Sequence, residues 1–292
     1  MTRCELCPRR CGVDRERSVG YCGEGTDARV AKVMLHYFEE PCISGERGSG
    51  AIFFSGCSMK CVFCQNRDIS RGGAGETMSP CMLAKEMIGL RERGAHNINL
   101  VTPTHFTDKI IEALDLVKGK LGIPVVWNTS GYELPETVRR LDGYVDVFLT
   151  DFKYASSELS AKYSSAPDYA EYASASLREM VRITGRPTYE GGIMTRGVIV
   201  RHLVLPGAYR DAVAVLNLIA DTVGTGDVVL SLMAQYTPEF ADGKFSELQR
   251  RITTFEYKKA LDEARRLGFD GFCQSISSAT SRYTPDFERR KE

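Results

Sequence analysis

The sequence predicts an α/β fold, an open partial barrel of six β/α units with a small cysteine-rich segment at its N-terminus. Three observations carry this. Short β-branched or aromatic runs alternate with helical patterns, which implies parallel strands joined by helical crossovers. The alternation repeats six times, short of the eight units that close a barrel, so one side is left wide. The first 45 or so residues follow neither period and are dense in Cys and Gly.

The expected strands are AIFF (51–54), NINLVT (97–102), PVVWN (124–128), VDVFLT (145–150), VIVRHLV (198–204) and VVLSLM (228–233). Between them the helical patterns are PCMLAKEMIGLRERG, TDKIIEALDLVKGKLG, LPETVRRL, YAEYASASLREMVRIT and YRDAVAVLNLIADTVG, with FEYKKALDEARRLG after the last. This divides the chain into a head, 1–45, and a barrel with a C-terminal extension, 46–292. The Ser/Tyr-rich stretch 154–169 is long enough for a lid or an ordered excursion. The terminal RYTPDFERRKE reads as a solvated tail.

Polar clusters follow the strands with regularity: GCSMKCVFC, TPTHF, NTSGY, TDFKY, LPGA and AQYTP. In a parallel sheet the loops after the strands carry the chemistry, so the active residues are expected there.

With 292 residues, 43% of them apolar, the chain can build a full core. Lys plus Arg and Asp plus Glu balance at 38 each, giving no support to nucleic acid or an anionic membrane as partner. The N-terminus lacks the apolar core of a signal peptide, and no run of about 18 apolar residues occurs. A cytoplasmic location without a membrane partner is expected.

Seven of the ten cysteines form two clusters. In a reducing compartment such clusters read as metal or iron–sulfur ligands before disulfides. Cys4, Cys7, Cys11 and Cys22 supply four thiolates, a closed set that suits structural zinc or an auxiliary iron–sulfur cluster, with disulfides or free thiols as the other reading. Cys57, Cys61 and Cys64, spaced C-x-x-x-C-x-x-C, supply three, which leaves a metal corner open for another ligand. The competing reading is a zinc knuckle borrowing a distant fourth ligand such as His36. Cys42, Cys81 and Cys273 stand alone and are expected to be small buried residues.

The segment GCSMKCVFCQN, after a strand and ahead of further β/α units, with Phe63 directly before the last cysteine, resembles the radical SAM superfamily. The resemblance implies that Cys57, Cys61 and Cys64 hold a [4Fe-4S] cluster whose fourth iron is chelated by the amino and carboxylate groups of S-adenosylmethionine. From about residue 44 to 240 the chain is most similar to pyruvate formate-lyase activating enzymes, in a branch with a cysteine-rich head. That likeness nominates Asn128 and Thr129 of WNTSGY and Asp151 and Lys153 of TDFKY as contacts of S-adenosylmethionine. It also nominates Arg201 of VRHLVLPG as holder of the methionine carboxylate. Two departures stand out. The Gly-Gly-Glu element that grips the amino group is replaced by LVTPTHF, leaving Thr102 and Thr104 as hydrogen-bonding candidates without a charge. Gln235 of AQYTP occupies the place of a histidine.

Plainer readings stand beside these. Asp151 and Lys153 can be a structural ion pair at a strand end, and Asn128 and Thr129 can order the turn before Gly131. Arg201 and His202 alternate, so only one faces the barrel interior. His36, close to Glu39 and Glu40 in HYFEEP, and His105 can orient substrate or serve a local partner, whereas His96, at the far end of its strand, is expected to be structural.

The function so implied is radical abstraction of hydrogen from a substrate, with a backbone glycine of a partner enzyme as one candidate. A peptide, a protein side chain or a small metabolite is the alternative, and a non-catalytic metal scaffold or redox sensor the reading from another class. A low-potential ferredoxin or flavodoxin is the implied electron donor.

Overall fold

The computed structural model describes residues 3–275 and residue 287. Its strands are β1 (Ala28–His36), β2 (Ser49–Phe54), β3 (Glu76–Met78), β4 (Ile98–Val101), β5 (Val125–Thr129), β6 (Val147–Asp151), β7 (Thr188–Glu190), β8 (Ile193–Leu203), β9 (Val229–Met233) and β10 (Gly271–Cys273). They hydrogen-bond in the order β10-β9-β8-β6-β5-β4-β2-β1-β3, with β7 attached to β8. The run from β2 to β10 is parallel throughout and follows chain order. The two ends do not pair, so the barrel stays open. Every residue of β2 and β4 is buried, as strands covered on both faces require.

The helices fall where the apolar periodicity puts them: Pro80–Glu92, Thr107–Val117, Pro135–Arg139, Tyr169–Thr184, Tyr209–Thr222 and Thr254–Leu267. Thr253 and Glu256 close a capping box at the start of the last one.

The six expected parallel strands are all present, and the short β10 adds a seventh at the far edge, with Gly271 to Cys273 pairing against Leu230 to Leu232. Two other expectations are corrected. The head is not irregular throughout. Its residues 28–36 form β1, which runs antiparallel along the whole of β2, so a boundary at 45/46 cuts through one sheet. The stretch 154–169 is the ordered excursion of the two readings: Ser156 caps a helix, Ser157–Ser164, whose Tyr163 and Ser164 are buried. Cys42 is buried as expected, but Cys81 and Cys273 are exposed. The expected tail lies outside the described residues except for Phe287, which packs edge-on against Phe53.

After β1 the chain turns back at the N-terminal end of β2, where His36 pairs with Ser49. A single helical turn, Pro41–Ser44, then plugs this end of the barrel. Its Cys42 and Ile43 cluster with Val126, Val147, Leu149 and Ile199 of the interior. Among the described residues no helix is long and apolar enough to cross a membrane.

Candidate functional site

A cavity of about 590 Å³ opens inside the barrel at the C-terminal ends of the strands. One wall is the loop after β2, with Cys57, Cys61, Phe63 and Cys64. Here the chain must leave a strand and turn sharply, which Gly56 allows at φ +83°. The helix 157–164 backs this loop. Val62 N donates to the Tyr163 carbonyl at 2.9 Å, and Ser164 Oγ donates to Cys61 Sγ at 3.0 Å. Phe63 lies edge-on to both Tyr163 and Tyr236.

Burial pushes the Cys64 thiol up to about 12 and raises Cys61 as well. Thiols in so dry a wall hold their protons unless a cation binds them, and a coordinating metal deprotonates a thiol outright. With Cys57 beside them, these give three thiols bordering open space, which fits a cluster that takes its fourth ligand from a bound molecule. His36 pairs with Ser49 at the opposite end of β2 from the cysteine loop. The zinc knuckle that borrows His36 is therefore not what the fold builds. Among the described residues no three His, Cys, Asp or Glu side chains are gathered to grip a single metal ion.

Of the other expected contacts, Thr102, Asn128, Thr129, Asp151, Lys153, Arg201 and Gln235 all border the cavity. Thr104 does not. It is buried outside the cavity, donating its hydroxyl to Glu133 Oε1 at 2.6 Å, which removes it as a candidate for the amino group. Thr129 spends its hydroxyl on the same carboxyl and accepts from Gly131 N at 3.4 Å, so it orders the turn as well as bordering the cavity. Thr102 has φ +57°, the left-handed conformation that glycine adopts freely and a β-branched residue rarely does. Gln235 accepts at Oε1 from Gln274 Nε2 at 2.9 Å.

The charged residues are paired across the barrel. Lys153 Nζ donates to Asp151. Burial alone would lower the Lys153 pKa, but Asp151 and Cys61 nearby raise it overall, so the ammonium stays charged. Arg201 points inward and His202 outward, the latter held by the Phe152 carbonyl at 2.7 Å and pushed down to about 4 by burial. The guanidinium of Arg201 is not free for a methionine carboxylate. It grips Glu40 with two bonds, Nε to Oε1 at 2.7 Å and Nη2 to Oε2 at 2.5 Å, and also bonds Glu39. Glu39 further accepts from Asn99 Nδ2 at 2.9 Å and Asn128 Nδ2 at 3.2 Å. Burial works against its charge, yet Arg201 outweighs burial and holds the Glu39 pKa below the usual carboxylate range.

His36 borders the cavity and lies edge-on to Phe53. His105 is buried against the Ser55 carbonyl at 2.6 Å and pushed down to about 4 by burial, and it does not border the cavity, so it has a local partner as expected. His96 is engaged by Arg47 at the N-terminal end of its strand.

In the head, Cys4, Cys11 and Cys22 come together. The thiols of Cys11 and Cys22 flank Gly20, and Cys4 is within hydrogen-bonding reach of Cys11. Cys7 is buried beside Cys4 and Cys22, and burial pushes its thiol up to about 12. Arg9 ties this loop to the first cavity wall, donating to the carbonyls of Ser58 and Ser164 at 2.8 Å each.

Sequence reasoning missed Asn99 and Glu133 as site-shaping residues and left Glu39 and Glu40 without a role. An Asn in the middle of an otherwise apolar β4 was the available signal for Asn99, since a buried polar group needs a partner.

An open parallel barrel whose first parallel strand ends in a three-thiol loop bordering a deep cavity defines a class of iron–sulfur barrel proteins. Residues 51–189 match the radical SAM superfamily. The chain is 32% identical over 278 residues to an uncharacterized protein of Methanocaldococcus jannaschii, covering 91% of this chain and 75% of the relative. This chain belongs to the radical SAM superfamily, and that membership implies a [4Fe-4S] cluster and S-adenosylmethionine. Among solved structures it is similar in fold to Streptococcus suis SuiB bound to S-adenosylmethionine, with TM-score 0.52 and 9% identity over 76% of this chain and 49% of that one. SuiB bound to its precursor peptide SuiA gives TM-score 0.51 and 12% identity over 76% and 48%. The chain therefore spans about half the length of SuiB.

Proposed function

We propose that this chain cleaves S-adenosylmethionine reductively and abstracts a hydrogen atom from a substrate. The observation that carries the reading is the three-thiol wall of a cavity set at the C-terminal ends of the parallel strands. Cys57, Cys61 and Cys64 would hold a cluster that, once reduced by a one-electron donor, would supply the electron for cleavage of S-adenosylmethionine to methionine and 5′-deoxyadenosine, the latter carrying the substrate hydrogen.

The chain's own residues bind, orient and exclude water. Cys57, Cys61 and Cys64 would hold three irons. Phe63, packed between Tyr163 and Tyr236, keeps this wall dry. Lys153, fixed by Asp151 and close enough to feel the Cys61 charge, is the cation for the methionine carboxylate. Arg201, committed to Glu39 and Glu40, is not. Thr102, Asn128, Thr129 and Gln235 line the remaining space, with the Asn128 amide turned to Glu39 and the Thr129 hydroxyl to Glu133.

The activating-enzyme resemblance makes a partner's backbone glycine one hydrogen donor. The second reading, radical modification of a peptide, a side chain or a small metabolite, is favoured by Glu39, Glu40 and Arg201, since a backbone glycine brings no charge for them to recognise. The four head thiols would hold a second metal, zinc or an auxiliary cluster, and a low-potential ferredoxin or flavodoxin would deliver the electron.

The test is anaerobic reconstitution with iron and sulfide, dithionite reduction and chromatography for 5′-deoxyadenosine, with Cys61→Ala alongside. Product that depends on Cys61 is the expected result. A fully reconstituted, reduced protein that forms none, with or without candidate substrates, overturns the reading.

A further inference from the structure

The barrel cavity has two unlike ends. The thiol wall follows Phe54 at the C-terminal end of β2, while Glu39 and Glu40 enter from the N-terminal end of the same strand, beyond the pairing of His36 with Ser49. Their side chains reach along the barrel to Asn128 near the end of β5 and to Arg201, the register partner of Asp151. At the inner end the Glu39 and Glu40 side chains are 8% and 6% exposed and share one guanidinium, that of Arg201, which is 13% exposed. Two buried carboxylates face one guanidinium and His36, whose pKa burial lowers so that its imidazole stays neutral, and the other cavity pair, Asp151 with Lys153, is balanced within itself. One negative charge is left over where charge is costly to bury without a partner.

A second, independent feature has the same sign. Asn99, fully buried and facing the barrel interior, donates its amide nitrogen to Glu39, but its Oδ1 has no hydrogen-bond partner. A buried acceptor left unpaired beside a carboxylate asks for a donor, and one that carries positive charge. Asn128 has the same attachment to Glu39 and borders the cavity directly, so the polar set reaches from the interior to open space.

We propose that Glu39, Glu40, Arg201 and Asn128 form the substrate subsite of this barrel, with Asn99 behind Glu39, and receive an alkylammonium group. The substrate would lie with its ammonium at this inner end and its reacting C–H toward the thiol wall. Arg201 sets the excess charge at one by neutralising one of the two carboxylates, so a monocation is taken and a carboxylate is refused. The inference rests on the radical reading for what happens next, but not for binding.

The experiment is isothermal titration calorimetry on the anaerobically reconstituted protein saturated with S-adenosylmethionine. The probes are 1,5-diaminopentane as a free amine, a short lysine-bearing peptide as the polymer-borne form of the same group, and glutarate as the dicarboxylate of matching length. At least one amine probe is expected to bind at least tenfold more tightly than glutarate, and Glu39→Gln is expected to weaken it at least tenfold. Whether the free or the peptide-borne amine binds better distinguishes the two sources. Glutarate binding as well as the amines, no amine binding at all, or full binding in a folded Glu39→Gln overturns the proposal. Should that variant fail to fold, the comparison of amine with dicarboxylate in the unaltered protein still decides. Failure to form 5′-deoxyadenosine would count against the radical reading and leave the calorimetry standing.

Discussion

Cys57, Cys61 and Cys64 border the barrel cavity, whereas Cys4, Cys7, Cys11 and Cys22 lie in a loop that borders none of it. Three thiols beside open space would leave a bound cluster a position for an incoming molecule, and four clustered away from it would not. On the proposed reading the first group would carry chemistry and the second support. The two are nonetheless joined: Cys57 N donates to the Cys22 carbonyl at 3.2 Å, and Arg9 reaches from the head to the loop of the first group.

The largest effect that separates them is a pair of single replacements. Cys57→Ala is expected to drop 5′-deoxyadenosine formation to background and remove about four irons per chain. Cys7→Ala is expected to keep measurable turnover while changing only the remaining metal content. Equal loss of turnover in both, by chromatography and metal analysis, would break the division.

Next come the residues that join the groups. Gly56→Ala puts a methyl group 2.7 Å from both the Cys22 carbonyl oxygen and Glu24 Cγ at a positive φ, a cost of about 1–3 kcal/mol. Arg9→Ala removes charge-assisted bonds worth about 1.5–3 kcal/mol and its stacking over the Tyr21 ring at 4.3 Å. Each is expected to lower the thermal midpoint by roughly 4–8 °C in calorimetry, and to weaken metal retention in both groups together. Independent behaviour of the two groups in these variants would show that the contacts between them carry no coupling.

The smallest effect lies at Glu133, which sits beneath the head near Cys7. Burial raises its carboxyl pKa, while Thr104 and Thr129 donate against that shift. A raised value in the folded state means the stabilisation is complete below the ordinary carboxylate range and is lost as pH rises through the raised value. Glu133→Gln is expected to flatten that fall in a pH series of melting curves. Thr104→Val should lower stability by about 1 kcal/mol, read by denaturant midpoint. An unchanged pH profile in Glu133→Gln would show that this carboxyl titrates as in the unfolded chain.

Much of this architecture is local and so was legible early. The helix 169–184 occupies the stretch its apolar period marks, because one buried face of a helix is written at a fixed spacing. β1 was not, since alternating ARVAKVMLH sits among glycines and cysteines and gains its meaning only from pairing with β2. The helix at 157–164 was hidden by Ser and Tyr, whose weak helical preference is overridden by packing against the cysteine loop.

By itself the sequence determined the alternation of strand and helix, the six main parallel strands and the cluster of three cysteines after the first of them, because periodicity and spacing are properties of neighbours along the chain. Only the tertiary structure decided that Thr104 serves Glu133 rather than the cavity, that the head shares the barrel's sheet, and that Arg201 meets Glu39 and Glu40. The last pairing joins residues 161 positions apart. Which of several buried charges faces which is settled by where the barrel closes around them, since each buried charge must find its counter-charge in space rather than in sequence.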